Sequence, residues 1–377
     1  MSLRRCLNPS ETPAFLRDVL LDRNDARKVV SISVIGAGPL GLQSAIEAAQ
    51  RGHNVQVASD VVPDSLELTK LVTAGNAAGY GGPFGGKDPL IRGFVEQSWP
   101  RWMELARDTE YGPVREIKAR IMTIDPEFLS YISRFDGYKS STELGIEGCI
   151  EIDAFAFNPR ALLVEWVHFL REKNITARQH TLTGEEMQSL RNGESLFGSD
   201  VTIECAGLRA RDIHPELKLQ PIRGVLGHFS ASFEPGVTPI SIMDEEGADL
   251  LYLIPRPGNT PGTWDLILGG TFDVGVGTCS KVAAEEIVFE KLLRTKARLS
   301  HVAPETMDAL QLPKFKEASV DFRPSNLNGS PIFEHLQSSE RSHVLVVNGA
   351  RGQGFVPVFA LVEHALNLVE GFGNSAI

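Results

Sequence analysis

Between residues 29 and 60 the spacing of apolar positions changes twice, and each change predicts an element. Val29, Val30, Ile32, Val34 and Ile35 form a β-branched run of the kind found in strands buried on both faces. Leu42, Ala45, Ile46 and Ala49 then recur at helical spacing, with Gly52 placed to end the helix. Residues 55–58 return to a strand pattern and lead to Asp60. Gly36-Ala37-Gly38-Pro39-Leu40-Gly41 fills the turn before the helix, with the glycine spacing of a dinucleotide-binding loop. In such a loop the first glycine makes the turn, the second admits a pyrophosphate, and the third lets helix and strand pack closely. The helix N-terminus offers free N–H groups to the anion. Asp60, about twenty residues beyond the glycines, is the candidate acceptor for ribose hydroxyls. Strand, glycines, helix, strand and acid in that order point to an adenine-dinucleotide site; a glycine turn serving packing alone is the alternative.

Farther along, residues 73–87 (TAGNAAGYGGPFGGK) are too glycine-dense for a long helix or a central strand. Their place after the second strand brings backbone amides within reach of a cofactor, which predicts a functional loop. Residues 91–107 read as an amphipathic helix with Phe94, Val95, Trp99, Trp102, Met103 and Ala106 on one stripe, and both tryptophans are expected in the core. Asn158-Pro159 opens a helix over 160–172. Short strands are predicted at 176–180 and 201–204, the second leaving through the small residues Cys205-Ala206-Gly207. From 222 to 273, alternating segments separated by Pro and Gly turns predict an antiparallel sheet. A helix at 283–298 and a strand at 343–347 follow, then a glycine-rich stretch at 348–354 and a closing helix at 358–369. This second strand–glycine loop–helix unit has no obvious use in a nicotinamide enzyme. It suits a flavin, because a helix N-terminus at the pyrimidine edge would stabilise the negative charge gained on reduction.

A chain of 377 residues has room for two domains. Its formal net charge of -11 disfavours nucleic acid and anionic membrane as partners, while leaving room for a local cationic pocket. Cys6, Cys149, Cys205 and Cys279 form no CxxC pair and read as reduced thiols of a cytosol-type compartment. No His/Cys cluster has metal-ligand spacing, so no metal is expected, and no apolar run is long enough to span a bilayer. Acidic residues throughout 1–28 argue against a transit peptide or secretory signal; residues 13–21 there read as a short amphipathic helix. The chain ends Ser375-Ala376-Ile377, which is not the peroxisomal Ser-Lys-Leu signal, and a cytoplasmic protein is expected.

Over residues 29–370 the chain resembles the D-amino-acid oxidase family of FAD-dependent amine oxidoreductases. The likeness rests on collinear motifs. After the first glycine loop and Asp60, Ala77-Ala78-Gly79 is similar to the family's flavin-contacting Ala-Ala-Gly loop, and Cys205-Ala206-Gly207 to its Cys-Thr-Gly turn. Tyr252-Leu253-Ile254-Pro255 with Leu268-Gly269-Gly270-Thr271-Phe272 resembles its Tyr-Ile-Ile-Pro and Leu-Gly-Gly-x-Phe pair, and Phe322-Arg323-Pro324 its Phe-Arg-Pro. The resemblance implies FAD as cofactor, held by Gly36, Ala37, Gly38, Leu40, Gly41, Asp60, Ala77, Ala78, Gly79, Leu182, Cys205, Ala206 and Gly207. The C-terminal residues Gly352, Gln353, Gly354, Phe355 and Val356 would complete the cofactor contacts. It also implies that Arg323 holds a substrate carboxylate, for which a guanidinium fork is suited, with the Tyr252 phenol beside it. The chemistry implied is oxidation of a C–N bond by hydride transfer to flavin N5, with O2 as acceptor and hydrogen peroxide as product.

The departures concern the substrate pocket. The family's second active-site tyrosine falls at Ala248, the aromatic hydroxyl after the Ala-Ala-Gly loop at Phe84, and the tyrosine of the C-terminal loop at Gln353. Arg351 stands where glycine is usual, either reaching a second acidic group of a substrate or lying as a solvated loop charge. A roomier, less polar pocket opens the alternative of a dehydrogenase acting on a modified or bulkier amine with another electron acceptor. A non-catalytic flavin-binding module is a further alternative, against which the retained Arg323 stands. The expected fold class is α/β: a Rossmann-like FAD-binding domain from discontinuous segments 29–60, 159–220 and 321–377, plus an α+β substrate domain with a mixed or antiparallel sheet from 61–158 and 221–320. Residues 1–28 form an N-terminal extension. The expected partners are a small-molecule amine or amino acid and O2; a homodimer is one assembly the sequence allows.

Overall fold

The computed structural model describes residues 29–82, 88–108, 112–123, 125–231, 237–241, 250–260, 262–276, 278–326, 330–340, 342–349 and 354–372. The extension with its predicted helix at 13–21, and Phe84, Ala248, Arg351, Gly352 and Gln353, lie outside the described residues.

β1 (Ser31–Ile35) runs into helix α1 (Pro39–Gln50), and β2 (Asn54–Ser59) returns parallel to β1. Pro39 suits the first turn of α1, where its missing N–H costs nothing. The helix ends as its composition predicts: Gly52 takes φ +87° just past the C-cap, and the N–H groups of Gly52 and His53 close back on Ala49 O and Ala48 O. A 3-10 turn at Thr73–Asn76 leads to β3 (Tyr80–Gly81), α2 (Pro89–Asp108), β4 (Val114–Met122) and β5 (Cys149–Phe157). α3 (Pro159–Glu172) starts under an Asn158 side chain that accepts from the Arg160 and Ala161 N–H groups. β6 (Thr176–Gln179), β7 (Val201–Glu204), β8 (Gln220–Ala231), β9 (Val237–Ser241), β10 (Leu251–Pro257), β11 (Trp264–Gly269) and β12 (Asp273–Val274) follow. α4 (Lys281–Leu299), β13 (Phe315–Ser325), β14 (Ile332–Ser339), β15 (Ser342–Asn348) and α5 (Val358–Phe372) are the later main elements, and short helices such as Gly184–Arg191 and Pro304–Ala309 lie between the named ones.

Two sheets result. The first has the order β14-β15-β7-β1-β2-β6, parallel throughout except for β14. Its strands come from three separated stretches of chain, so the glycine turn after β1 and the turn after β7 lie side by side at the carboxyl ends of central strands, where α/β sheets bind ligands. The second sheet runs β12-β8-β11-β10-β9-β4-β5-β3 with β13 along β8, and is antiparallel except where β4 meets β9. One apolar cluster joins the sheets, with Ile32, Val34 and Val57 from the first and Phe155, Ile254 and Ile267 from the second. Trp102 fills its centre. The ring stacks on Phe155 at 4.9 Å and Phe157 at 5.6 Å, and its indole N–H donates to Val356 O at 2.9 Å.

Three long strands carried no clear signal in the sequence. β4 and β5 are laced by cross-strand ion pairs, Lys118 with Asp153 and Arg120 with Glu151, whose charges hide the apolar alternation. β13 carries Lys316, Glu317, Asp321 and Arg323, and its next-to-last residue, Pro324, stands opposite Pro221 of β8, close to the strand end, where proline is tolerated.

Candidate cofactor and substrate site

One cleft of about 400 Å³ is lined by the turn after β1, the turn after β7, residues 71–74 and 76–78, and the end of β13 with Tyr252 of β10. Among the described residues the three glycines of the first turn have distinct tasks. Gly36 takes φ +104° and donates to Ala58 O at 2.8 Å; a Cβ there would sit 2.5 Å from Cys205 O. A Cβ on Gly41 would sit 1.9 Å from Gly36 O, so helix and turn touch only because this residue has no side chain. Beside Gly38 no described atom lies within 4 Å of where a Cβ would be, and the open space is the cleft itself. α1 has no side-chain cap and no acid in its first turn, which leaves its positive end to a ligand.

Asp60 lies at the end of β2, where Arg209 approaches its carboxylate at 3.3 Å. His180, Leu182 and Met187 line the same end. Asn348 Nδ2 donates to Gly207 O at 2.8 Å, which ties the end of β15 to the turn after β7. Under that turn, Glu204 is fully buried. Its Oε1 accepts from the Ala206 N–H at 2.6 Å, while Oε2 has no hydrogen-bond partner among the described residues. Burial pushes the Glu204 carboxyl up to about 7. Burial, with Glu204 adding to it, also raises the Cys205 thiol, so this cysteine is an inert packing residue.

At the other end of the cleft two side chains lie over glycines of neighbouring strands. The Tyr252 ring covers Gly269 of β11, where a Cβ would fall 2.3 Å from it. The Arg323 guanidinium covers Gly224 of β8, where a Cβ would fall 2.1 Å from Nη2, and Nη2 donates to Thr271 O at 3.1 Å. The strand order β13-β8-β11-β10 therefore brings the two side chains toward each other across two strands that carry no side chain at the crossing points. Burial raises the Tyr252 phenol, and the Arg323 charge and a hydrogen bond from the Gly270 backbone oppose the rise. Phe272 lies under the guanidinium, 5.8 Å from its carbon. Among the described residues Arg323 has no carboxylate partner, so its second edge is available to an anion.

A family model described as FAD dependent oxidoreductase matches residues 31–365. The chain belongs to this family of FAD-dependent oxidoreductases. A D-amino-acid oxidase of Dictyostelium discoideum is 26% identical over 368 residues, 90% of this chain and 92% of that protein. One of Rubrobacter xylanophilus is 27% identical over 256 residues, 66% of this chain and 72% of that protein. Among solved structures, iminodiacetate oxidase of Chelativorans sp. BNC1 shares the fold with a TM-score of 0.62 at 18% identity, over 90% of this chain and 95% of its own.

The cofactor of the family is FAD, and the cleft fits it. The open space at Gly38 beside an uncapped helix end has room for a pyrophosphate, and Asp60 lines the cleft just past the end of β2, where it would accept from ribose hydroxyls. Of the cofactor residues expected from sequence, Gly36, Ala37, Gly38, Leu40, Asp60, Ala77, Ala78, Leu182, Cys205, Ala206, Gly207, Gly354 and Phe355 line the cleft. Gly41, Gly79 and Val356 stand behind the lining: Gly79 packs on Phe157 O at φ +80°, and Val356 presents its carbonyl to Trp102. Sequence reasoning missed Asn76, Arg209 and Asp321. Only Asp321 had a readable signal, since it shares the strand face of Arg323 two residues on. Among the described residues no helix is long and apolar enough to cross a membrane, and no cluster of His, Cys, Asp or Glu could hold a metal.

Proposed function

We propose that this protein oxidises the C–N bond of a small amino acid or related amine and passes the electrons to O2, giving hydrogen peroxide. The observation that carries the reading is the convergence of Tyr252 and an Arg323 without a carboxylate partner at one end of a cleft whose other end is built for a dinucleotide. When bound there, FAD supplies a two-electron acceptor for the hydride that leaves the substrate α-carbon. Arg323 grips the substrate carboxylate as a fork, and Tyr252 donates its phenol proton to the same group. No general base is needed beyond delivery of a neutral amine, so orientation by these two groups is the main contribution of the protein. In this reading the six-stranded sheet carries the cofactor and the nine-stranded sheet covers its reactive end. The similar D-amino-acid oxidases and iminodiacetate oxidase, by their names, act on substrates of this class.

Charge-assisted hydrogen bonds contribute roughly 1.5–3 kcal/mol each. Arg323→Leu therefore lowers kcat/KM for a carboxylate-bearing amine by at least about tenfold. An unchanged kcat/KM removes Arg323 from the substrate site. Peroxide formed in step with substrate loss in air supports O2 as acceptor, whereas slow reoxidation without peroxide assigns the electrons to another acceptor.

A further inference from the structure

We propose that Arg256 is a positioning residue that fixes and polarises the Ala77–Ala78 peptide against the flavin, favouring the reduced cofactor. The proposal rests on the reading that the flavin ring lies at the Arg323 and Tyr252 end of the cleft.

Arg256 lies on β10 four residues after Tyr252, on the same strand face, and is 2% exposed. Its Nη1 donates to Ala77 O at 3.0 Å and its Nη2 to His228 Nδ1 at 3.4 Å. A guanidinium has no acceptor to offer, so His228 must accept at Nδ1 and carry its proton on Nε2, which donates to Ser319 Oγ at 2.7 Å. Burial, helped by the Arg256 charge, holds His228 well below its usual range, and it is neutral. The Asp265 carboxylate comes only to 4.0 Å of Arg256 and is already engaged by Lys316. Arg256 is thus a buried cation with no carboxylate in hydrogen-bond contact among the described residues. Such a group is costly to keep, and its one strong acceptor is a loop carbonyl.

A second buried arginine holds the same loop from another side. Arg160, in the first turn of α3, donates to Gly75 O at 3.2 Å and to Asn76 Oδ1 at 3.0 Å. Residues 75, 76 and 77 are therefore clamped in turn by two elements, so the loop enters the cleft in a fixed pose. Every described peptide bond is trans, so the Ala78 N–H points opposite to the Ala77 carbonyl and away from Arg256. That N–H meets no acceptor among the described residues, while Ala77 and Ala78 both line the cleft. A charged donor on the carbonyl strengthens the N–H at the far end of the same peptide. A flavin gains negative charge on reduction, so a strengthened donor and a cation without a contacting carboxylate both favour the reduced form.

The test is the reduction potential of the FAD-loaded protein, measured without oxygen against a reference dye. Arg256→Met shifts the balance toward oxidised flavin by at least about tenfold, about 30 mV for a two-electron couple. Arg256→Lys, which keeps the cation, recovers at least half of that shift. Asp265→Asn removes the opposing charge and moves the potential the other way. An unmoved potential in Arg256→Met, or a fall in Asp265→Asn, overturns the proposal. Should Arg256→Met yield no loaded protein, Asp265→Asn decides: a raised potential supports the proposal, and an unmoved or lowered one overturns it. Arg323→Leu separates the two readings: a shift there with a silent Arg256→Met defeats this proposal alone, whereas silence in both defeats the placement of the ring.

Discussion

Two glycines three residues apart should fail in opposite ways when each gains a methyl group. At Gly41 the new Cβ would lie 1.9 Å from Gly36 O and 2.9 Å from the Gly36 carbonyl carbon. Both neighbours are backbone, so the helix must move off the turn. Overpacking a tight contact costs about 1–3 kcal/mol, and a clash between two backbones belongs at the top of that range. At Gly38 the backbone has φ -79° and ψ -176°, which alanine adopts freely, and no described atom lies within 4 Å of the new Cβ. There the cost to the apoprotein is the weaker helix-capping of alanine, at most about 1 kcal/mol. The methyl group instead occupies space assigned to the FAD pyrophosphate and should weaken FAD binding by at least about tenfold, or 1.4 kcal/mol. Urea denaturation of the apoproteins reads the first effect, and flavin fluorescence during FAD titration reads the second. Gly41→Ala should lose stability without FAD present, while Gly38→Ala folds nearly as the parent but loads poorly. Parental FAD affinity in Gly38→Ala, or parental apoprotein stability in Gly41→Ala, would refute the division of tasks among these glycines.

Two other outcomes follow from buried groups. The Glu204 carboxyl is raised from 4.5 to about 7, so between these values the folded state binds more protons than the unfolded one and stability falls as pH rises. The loss is complete above the folded value and amounts to roughly 3 kcal/mol at most. Glu204→Gln keeps an acceptor for the Ala206 N–H, so its advantage over the parent should grow from pH 5 to 7 and then level. A pH-independent difference would contradict an ionisable buried Glu204. Trp102→Ala removes a fully buried ring and leaves Val356 O without its indole donor, at a cost of about 3–5 kcal/mol in chemical denaturation. A loss below about 1 kcal/mol would displace Trp102 from the centre of the core.

Much of the cofactor end was legible in the sequence because its determinants are local. The β-branched run of β1, the helical spacing of α1 and the three glycines each span twelve residues of chain or fewer, and each acts on its immediate neighbours. The same holds for Gly52 past the end of α1 and Asn158 at the start of α3, whose capping bonds span a few residues. Tryptophans 99 and 102 declared themselves by helical spacing alone. β4, β5 and β13 escaped because a strand is defined by its partner: the charges of β4 and β5 pair across those two strands, β13 pairs with β8 from almost a hundred residues earlier, and one chain segment does not reveal which segment lies beside it.

The Arg323 and Tyr252 end of the cleft belongs to tertiary structure. Arg323 and Tyr252 were nameable from motifs, but nothing around Gly224 or Gly269 says that a guanidinium and a phenol ring need those gaps. That fact exists only once β13, β8, β11 and β10 are hydrogen-bonded in that order and register. Likewise Arg256 reads as one more strand residue until folding carries it to Ala77, 179 positions away along the chain. Local sequence sets φ, ψ and periodicity over a turn or two; which side chain crosses which glycine is set by long-range pairing. The sequence alone therefore pointed to a dinucleotide and to the glycine turn suited to it, and the assembled sheets decided which groups meet at the other end of the cleft.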